Sequence, residues 1–370
     1  MHATVGRMAT RRHFLGFCLA GLLPNAAAAQ DAPALRIVLD SLMRRHRVPG
    51  VGMAVVRNGE IAELVSRGVV RAGATRPIGT GTLFQAASIS KVVAGLVVLR
   101  LVERNALQLD APIVERLRGW RLPAGQPTWA EAVTPRLLLC HRAGINVPGF
   151  EGYVPGARLP TLDQTLDGVP PANSAAVKVA WPPGGAFRYS GGGTTILQHL
   201  VQDVTASTFE ALAANVVLGP AKMSRSTFRQ PLPATELDGA VAHDVRGRPL
   251  PGRWRIYPEH AAAGLWSTPA DLAPLALAIA ASQPLARQMG SPVDGGPTGL
   301  GVFVQRRRDR PPWLYHYGDN AGFHSVLAFA ADASFGVALM TNGDGGEPLI
   351  AAFLDALFDA NGLDRLKPPD

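Results

Sequence analysis

Hydrophobic and polar positions follow two different periods along the 370-residue chain. Apolar residues recur at helical spacing over residues 33–47, which predicts an amphipathic helix. Two short apolar runs come next, Val51–Val56 and Ile61–Val65, separated by a segment that contains Asn58-Gly59. Because Asn-Gly readily adopts the positive φ angles of a tight turn, these runs are predicted to be paired antiparallel strands.

The rest of the chain predicts a helical middle followed by a return to strands. Helical patterns cover residues 88–104, 135–140, 194–204, 209–217, 269–281 and 348–360, and strand patterns cover 299–305, 323–330 and 335–340. We expect early and late strands to share one antiparallel sheet flanked by helices, an α/β (α+β) architecture with an inserted, mostly helical subdomain. The predicted sheet lobe is 30–86 with 291–370, and the helical lobe is 87–290. The long, proline-rich loop 143–188 is typical of a segment that lines a binding site.

The amino terminus has the features of an export signal. Arg11-Arg12 precedes Phe14-Leu15 and a short apolar run that ends at Leu23, and Ala26–Ala29 resembles a cleavage site. The arginine pair is typical of twin-arginine signals, so residues 1–29 are predicted to be removed and the mature domain 30–370 to be periplasmic or secreted. No other apolar stretch is long enough to predict a membrane span.

Arginine dominates the basic residues, since only four of the 36 Lys and Arg residues are lysines. The densest basic cluster, Arg306–Arg310, lies between apparent strands without interleaved aromatics, which favours a solvated hairpin over a nucleic-acid site. Cys140 is the only cysteine after the signal, so no internal disulfide is expected. His141 is its neighbour, but adjacent side chains point apart, and a Cys–His catalytic dyad is therefore not expected.

Ser88 and Lys91 carry the strongest chemical signal in the chain. Three residues apart at a predicted helix start, their side chains are expected on one face of the first turn. A serine hydroxyl needs a base to become a nucleophile, and a lysine can serve if burial lowers its pKa. The apolar run Val92–Leu99 would supply that burial. Taken alone, the pair also fits an ordinary helix N-terminus.

The segment from Phe84 to Lys91, Phe-Gln-Ala-Ala-Ser-Ile-Ser-Lys, resembles the first motif of the serine β-lactamase and penicillin-binding-protein superfamily. It is closest to the branch that holds class C β-lactamases, related esterases and D-amino-acid peptidases. Thr134–Gly144 and Ala262–Leu272 resemble further stretches of that branch. The resemblance covers nearly all of the mature chain and implies a β-lactamase/transpeptidase-like fold.

The resemblance also implies roles for residues near Tyr189. Phe187-Arg-Tyr189-Ser-Gly191 occupies the place of the second motif, Tyr-x-Asn, so Tyr189 would shuttle the proton of the nucleophile. A phenolate is accessible only if a nearby cation lowers its pKa, and Lys91 is the expected cation. Gly191 stands where the motif has asparagine, which in the family helps to hold the lysine and the amide of the substrate. Its absence favours simple esters.

The third motif, Lys-Thr-Gly in many β-lactamases, corresponds to His316-Tyr-Gly318-Asp319. His316 can donate a hydrogen bond but is expected to be only partly charged near neutral pH. By resemblance, the backbone N–H groups of Ser88 and Asp319 would form an oxyanion hole, with Gly318 and Gly191 beside the substrate. No metal or organic cofactor is implied, and neither a zinc-binding histidine pair nor a phosphate-binding loop is present in the sequence.

These observations predict an exported serine hydrolase that uses an acyl-serine intermediate on a small-molecule ester, amide or peptide. Carboxylic esters lead, D-amino-acid amides or peptides follow, and a true β-lactamase or D-alanyl-D-alanine carboxypeptidase is the alternative. A different class of answer is a non-catalytic protein that binds cell-wall fragments, which Gly191 leaves open. The two classes differ in whether Ser88→Ala abolishes turnover.

Overall fold

A six-stranded antiparallel sheet forms the centre of the computed structural model, which describes residues 26–367 except 234 and 237. Its spatial order is β2-β1-β8-β7-β6-β5. The strands are β1 Gly50–Arg57, β2 Glu60–Gly68, β5 Phe303–Arg307, β6 Arg310–Asn320, β7 Phe323–Ala330 and β8 Phe335–Thr341. A separate two-stranded sheet pairs β3, Phe84–Ala87, with β4, Leu265–Ser267.

The early and late strands do share one sheet, as the sequence predicts. β1 pairs with β8 from Val51 opposite Thr341 to Arg57 opposite Phe335. The β1–β2 hairpin turns at Asn58 and Gly59, whose φ angles are 50° and 81°. Both positive values are those that the Asn-Gly pair predicts for a tight turn.

The helices surround this sheet and fill the region between β3 and β5. They are α1 Ala26–His46, α2 Ser90–Glu103, α3 Pro127–Glu131, α4 Pro135–Leu139, α5 Leu162–Asp167, α6 Gly191–Thr205, α7 Phe209–Ala213, α8 His260–Ala263, α9 Pro269–Ala281, α10 Gln283–Met289 and α11 Gly346–Ala360. The predicted helix 269–281 and the predicted strand 323–330 have the observed bounds of α9 and β7.

Several predicted elements differ from the structure, each for a local reason. The helix expected to begin at Ser88 begins at Ser90, because the chain leaves β3 through a sharp turn. The expected loop 143–188 contains α5, which begins at a Thr161–Gln164 capping box. β6 was not predicted as a strand, and β5 begins at Phe303 rather than 299, after a turn in which Gly301 has a φ of 79°.

The main sheet is buried on both faces, which explains why its central strands are continuously apolar. On one face, α1 and α11 pack over alternate residues such as Met53, Trp313 and Leu339. On the other face, α9 packs against β1 and β8, and the core continues through α2 into the helical region. This second face carries the site described below.

Most of the predicted export signal, residues 1–25, lies outside the residues that the structure describes. Its last four residues, 26–29, form the beginning of α1. Within the described part of the chain, no helix has the length and apolar character needed to cross a bilayer. The division into a sheet lobe and a helical lobe stays a prediction.

Candidate active site

Ser88 lies on a sharp connection between β3 and α2. Ala87, the last residue of β3, has a φ of 49°, an unusual value for a residue with a Cβ atom. The chain then turns through Ser88 and Ile89 into α2, and the N–H of Lys91 donates to the carbonyl of Ser88 at 3.0 Å. This turn leaves the Ser88 side chain partly accessible, although β3 and the start of α2 are buried around it.

Lys91 is buried beside Ser88, with 3% of its surface exposed. Its Nζ atom donates to Ser88 Oγ at 2.9 Å and to the carbonyl of Ala262 at 2.8 Å. Burial lowers the pKa of Lys91 from 10.5 to about 7, because the charged ammonium loses its water there. The expected Ser88–Lys91 juxtaposition therefore exists, with the lysine poised between its charged and neutral forms.

Two buried polar residues hold the elements around this pair in place. Ser90 Oγ donates to the carbonyl of Ala87 at 2.5 Å and accepts from the N–H of Leu265 at 3.0 Å. Asn320 Nδ2 donates to Gln85 Oε1 at 2.9 Å and to the carbonyl of Ala263 at 3.2 Å. The bonds of Ser90 join α2 to β3 and β4. The bonds of Asn320 join the end of β6 to β3 and to α8, the helix that supplies the Ala262 carbonyl to Lys91.

Tyr189 reaches Ser88 from the residue before the N-cap of α6. Its hydroxyl lies close to the Ser88 side chain, and Lys91 Nζ lies 5.1 Å from the centroid of its ring. Burial raises the pKa of Tyr189 above its ordinary value of 10. The expectation that Lys91 makes a phenolate accessible is thus wrong: desolvation exceeds any cationic effect, and Tyr189 keeps its proton.

His141, which was not expected to belong to the site, packs against Tyr189. The two ring centroids are 4.5 Å apart, and the N–H of Ser190 donates to His141 Nδ1 at 3.1 Å. Burial holds the pKa of His141 well below its ordinary range, so the ring is neutral near pH 7. The signal that could have placed it here is its position in the Thr134–Gly144 stretch, since the adjacent Cys140 gave no reason to expect a functional role.

His316 is buried on β6, with 2% of its surface exposed, and its ring centroid lies 6.1 Å from that of Tyr189. Its Nδ1 lies 2.6 Å from the carbonyl oxygen of Tyr317, which can only accept, so Nδ1 carries the proton. Burial, and then the proximity of Lys91, lowers the pKa of His316 from 6.5 to about 3.

The expectation of a partly charged His316 is therefore wrong, because desolvation keeps the ring neutral. Its Nε2 is a buried acceptor without a hydrogen-bond partner among the described residues. In this tautomer His316 cannot donate a hydrogen bond from Nε2 to a substrate carboxylate.

Gly318 lets β6 approach the Ser88 segment closely. A Cβ atom at this position would lie 2.2 Å from the carbonyl oxygen of Ala86 and 2.2 Å from Ser325 Oγ, so only glycine fits. Ser325 Oγ in turn donates to the Ala86 carbonyl at 2.9 Å. The next residue, Asp319, lines the same cavity as Ser88.

Gly191, at the position of the motif asparagine, is packed against the loop that precedes α5. A Cβ atom there would lie 3.1 Å from the carbonyl oxygen of Pro148 and 3.2 Å from the Phe150 ring. The N–H of Gly191 also donates to the Pro148 carbonyl at 3.0 Å. An asparagine would press on this loop, so the loop occupies the space that a side chain at 191 would need.

A cavity of about 370 Å³ opens onto Ser88 and Lys91. Its lining residues come from α2, the loop at Gly149–Glu151, α8 and the turn after β6, and they include Ser88, Lys91, Tyr257 and Asp319. This volume suits a small organic molecule. Within the described part of the chain, no group of three or more His, Cys, Asp or Glu side chains is arranged to hold a metal ion.

A partly accessible serine next to a buried lysine of lowered pKa is the arrangement of an activated nucleophile. The beta-lactamase family model matches residues 35–360 of the chain. The chain belongs to the beta-lactamase family. This membership accounts for the antiparallel sheet flanked by helices and for the position of Ser88 just before α2.

Curated relatives of this beta-lactamase family member include an esterase and a penicillin-binding protein. The chain is 31% identical to esterase EstB of Burkholderia gladioli over 243 residues, which is 62% of this chain and 58% of the esterase. It is 28% identical to penicillin-binding protein 4 of Amycolatopsis lactamdurans over 187 residues, 50% of this chain and 46% of that protein. The matches thus span roughly half of each relative.

Solved structures share the fold of this family member at lower identity. An octameric penicillin-binding protein homologue from Pyrococcus abyssi has a TM-score of 0.75 at 23% identity and covers 90% of this chain and 78% of its own. The D-amino acid amidase of Ochrobactrum anthropi SV3 has a TM-score of 0.72 at 19% identity, with 89% and 98% covered. At these identities the likeness establishes the β-lactamase/transpeptidase-like fold.

Proposed function

We propose that this protein is a serine hydrolase that cleaves small carboxylic esters through an acyl-serine intermediate on Ser88. The observation that carries the proposal is the 2.9 Å contact between Lys91 Nζ and Ser88 Oγ, made where burial lowers the pKa of Lys91 to about 7. A neutral amine at that distance can take the serine proton directly.

In the acylation step, Ser88 Oγ attacks the ester carbonyl while its proton passes to Lys91 Nζ. The backbone N–H groups of Ser88 and Asp319 stabilise the oxyanion that forms. When the tetrahedral intermediate collapses, the bond to the alcohol breaks and the alcohol leaves with a proton from the Lys91–Tyr189 pair. The product of this step is an ester of the acyl group on Ser88.

In the deacylation step, water attacks the acyl-serine carbonyl and gives its proton to Lys91, and Ser88 leaves as the free alcohol. Tyr189 takes part as a neutral hydroxyl, since burial raises its pKa. It relays a proton by accepting one hydrogen bond while donating another. His316 Nε2 is a buried acceptor without a partner among the described residues, and the His316 ring lies 6.1 Å from that of Tyr189.

Esters are preferred as the substrate class for two reasons. Esterase EstB is among the curated relatives, at 31% identity. In addition, Gly191 offers no side-chain amide to align the amide of a peptide or β-lactam substrate. D-amino-acid amides are the second candidate, favoured by the fold shared with a D-amino acid amidase. A β-lactamase or D-alanyl-D-alanine carboxypeptidase comes third, because neutral His316 gives a substrate carboxylate no cation.

The test is release of p-nitrophenol from p-nitrophenyl acetate and butyrate by mature protein, Ser88→Ala and the matched control Ser207→Ala. Turnover that is lost in Ser88→Ala and kept in Ser207→Ala, an exposed serine outside the cavity, would support the proposal. Mass spectrometry after treatment with a fluorophosphonate should place the label on Ser88.

Turnover of D-amino-acid amides or β-lactams in place of the esters would support the second or third candidate. Turnover of none of them, with ligand affinity intact in Ser88→Ala, would indicate a non-catalytic binding protein.

We also propose that residues 1–29 direct the protein across the inner membrane as a twin-arginine signal. The basis is Arg11-Arg12 followed by a short apolar run and Ala26–Ala29. Cell fractionation of the full chain should recover a shortened protein in the periplasm or medium, and changing both arginines to lysine should keep the full-length chain in the cytoplasm. Export of the lysine variant by the same route would refute the twin-arginine assignment.

A further inference from the structure

The catalytic cavity is lined by more acidic than basic side chains. Glu151 and Asp319 contribute carboxylates, and Lys91 is the basic residue among the lining residues of the described chain. Lys91 is largely neutral above pH 7 because its pKa is about 7, and burial raises the pKa of Tyr257 above its ordinary value. The side chains around a bound substrate therefore carry a net negative charge.

The basic groups nearest these carboxylates, other than Lys91, lie outside the lining of the cavity in the described part of the chain. His316 is neutral, because burial lowers its pKa to about 3. Arg255 is half-buried and close enough for its positive charge to act on Tyr257, but it is not among the lining residues. His324 Nδ1 lies 3.7 Å from Asp319 Oδ1, and that carboxylate side chain is still 80% exposed. Glu151 has no ion-pair partner among the described residues.

A single hydroxyl group links the two walls that bear these carboxylates. Tyr257 Oη donates to the carbonyl of Glu151 at 3.5 Å and accepts from the N–H of Ala321 at 3.1 Å. Ala321 follows Asp319 by two residues, just after β6, so this hydroxyl joins the two backbone segments that carry the acidic residues lining the cavity. The loop that bears Glu151 is seated against Gly191, whose missing side chain makes room for it.

We infer that this cavity selects esters that carry a cationic group, an ammonium or quaternary ammonium, and discriminates against those that carry a carboxylate, with Glu151 and Asp319 as specificity-determining residues. The inference rests on the proposed ester hydrolysis and names its substrate class. It connects Gly191 to the same site, since a side chain there would press on Pro148 and Phe150, next to Glu151 in the same loop.

The size of the preference follows from the exposure of the two carboxylates. Ion pairs that water can reach contribute up to about 1 kcal/mol, which corresponds to about fivefold in kcat/KM. A carboxylate on the substrate should lower kcat/KM by about the same factor, because it is repelled by Glu151 and Asp319. Because these charges are accessible to salt, both effects should shrink towards zero near 0.5 M salt, where the screening length is only about 4 Å.

The experiment compares three p-nitrophenyl esters of similar length at pH 8 and low salt: pentanoate, 4-(trimethylammonio)butanoate and the glutarate monoester. We expect kcat/KM to be about fivefold higher for the cationic ester than for the neutral one, and about fivefold lower for the anionic ester. Choline butyrate against 3,3-dimethylbutyl butyrate, its uncharged isostere, makes the same comparison on the alcohol side.

Variants assign the preference to its residues. Glu151→Gln should reduce the cationic-to-neutral ratio to about twofold or less, and Glu151→Gln with Asp319→Asn should bring it to about one. Glu131→Gln is the matched control, because Glu131 is an exposed glutamate on α3 outside the cavity, and it should keep the wild-type ratio. The salt dependence in wild-type protein gives a second readout that needs no variant.

The outcomes separate this inference from the proposed function. Ser88-dependent hydrolysis of the neutral ester with no cationic preference on either side, or with a preference for the glutarate ester, would overturn the inference and leave the esterase proposal standing. A ratio unchanged in Glu151→Gln and in the double variant would also overturn it. No hydrolysis of any ester would overturn both.

Discussion

Lys91 and His316 both lie near the ring of Tyr189, and they differ in what burial does to them. Both are almost inaccessible, with 3% and 2% of their surfaces exposed. Burial lowers the pKa of Lys91 from 10.5 to about 7 and that of His316 from 6.5 to about 3. The two shifts are similar in size, yet only the shift of the lysine ends near neutral pH.

The comparison shows how one physical effect gives two opposite results. Desolvation makes the lysine a usable base, since its neutral form becomes well populated near pH 7. The same desolvation removes the charge of the histidine at every pH where the protein is expected to work. The site therefore combines a titrating amine with a neutral acceptor, and no arginine is among the residues that line its cavity in the described part of the chain.

The largest effect expected is that of replacing Lys91. Lys91→Arg keeps a positive charge but removes the base, because a guanidinium stays protonated in proteins. We expect kcat for p-nitrophenyl butyrate to fall about a thousandfold, in the range assigned to general-base catalysis. Lys178→Arg, at an exposed lysine, is the control and should retain wild-type activity. A rate within tenfold of wild type in Lys91→Arg would exclude Lys91 as the base.

A buried acid tests the same physics with the opposite sign. Glu259 is fully buried, neither of its carboxyl oxygens has a partner among the described residues, and burial raises its pKa from 4.5 to about 7. The folded state binds this proton more tightly than the unfolded state, so deprotonation destabilises the folded protein. The free energy of unfolding is unaffected below pH 4.5, falls between pH 4.5 and pH 7, and is lowered by the full amount above pH 7. This loss of stability amounts to about 3 kcal/mol at alkaline pH.

Glu259→Gln should remove this pH-dependent loss. Urea unfolding at pH 5 and pH 9 measures the stability of the variant relative to wild type, and that difference should rise by about 2.5 kcal/mol between the two pH values. Comparing the two pH values cancels any constant effect of burying the amide. If the variant and the wild type differed in free energy of unfolding by the same amount at pH 5 and at pH 9, Glu259 would ionise in the folded protein as it does in water.

The pH dependence of kcat/KM on an uncharged ester distinguishes the ionisation of Lys91 from that of His316. Only neutral Lys91 can accept the serine proton, so the rate should rise tenfold per pH unit below 7 and level off above it, about a hundredfold between pH 5 and 8. His316, with a pKa of about 3, should contribute no inflection in this range. A flat profile would contradict the role of Lys91, and an inflection that His316→Gln abolished would contradict the neutral histidine.

The smallest effect expected is that of His316→Gln itself. Glutamine keeps an uncharged hydrogen-bonding side chain at this position, so kcat should fall by about tenfold or less while the pH midpoint stays near 7. His316→Lys is the contrasting variant: a buried second amine next to Lys91 would repel its proton and lower the midpoint. A thousandfold fall in His316→Gln would show that the histidine acts as more than a neutral acceptor.

The sequence could predict those parts of the site and fold that depend on neighbouring residues. Ser88 and Lys91 meet because they are three residues apart around a helix start, and the β1–β2 hairpin follows from Asn58-Gly59. β6 was not predicted as a strand, because it is defined by its pairing with β5 and β7 and its own sequence does not show a clear strand pattern. α5 was missed because it is a six-residue helix inside a proline-rich segment.

By itself, therefore, the sequence determined many of the local elements, the proximity of Ser88 and Lys91 and, through its motifs, the β-lactamase-like fold. Only the tertiary structure decided the charge states and the shape of the cavity. The neutral His316, the protonated Tyr189 packed on His141, and the loop seated against Gly191 all depend on desolvation and contact between segments far apart in the chain. Residue identity sets which groups can ionise, but burial by distant segments sets whether they do.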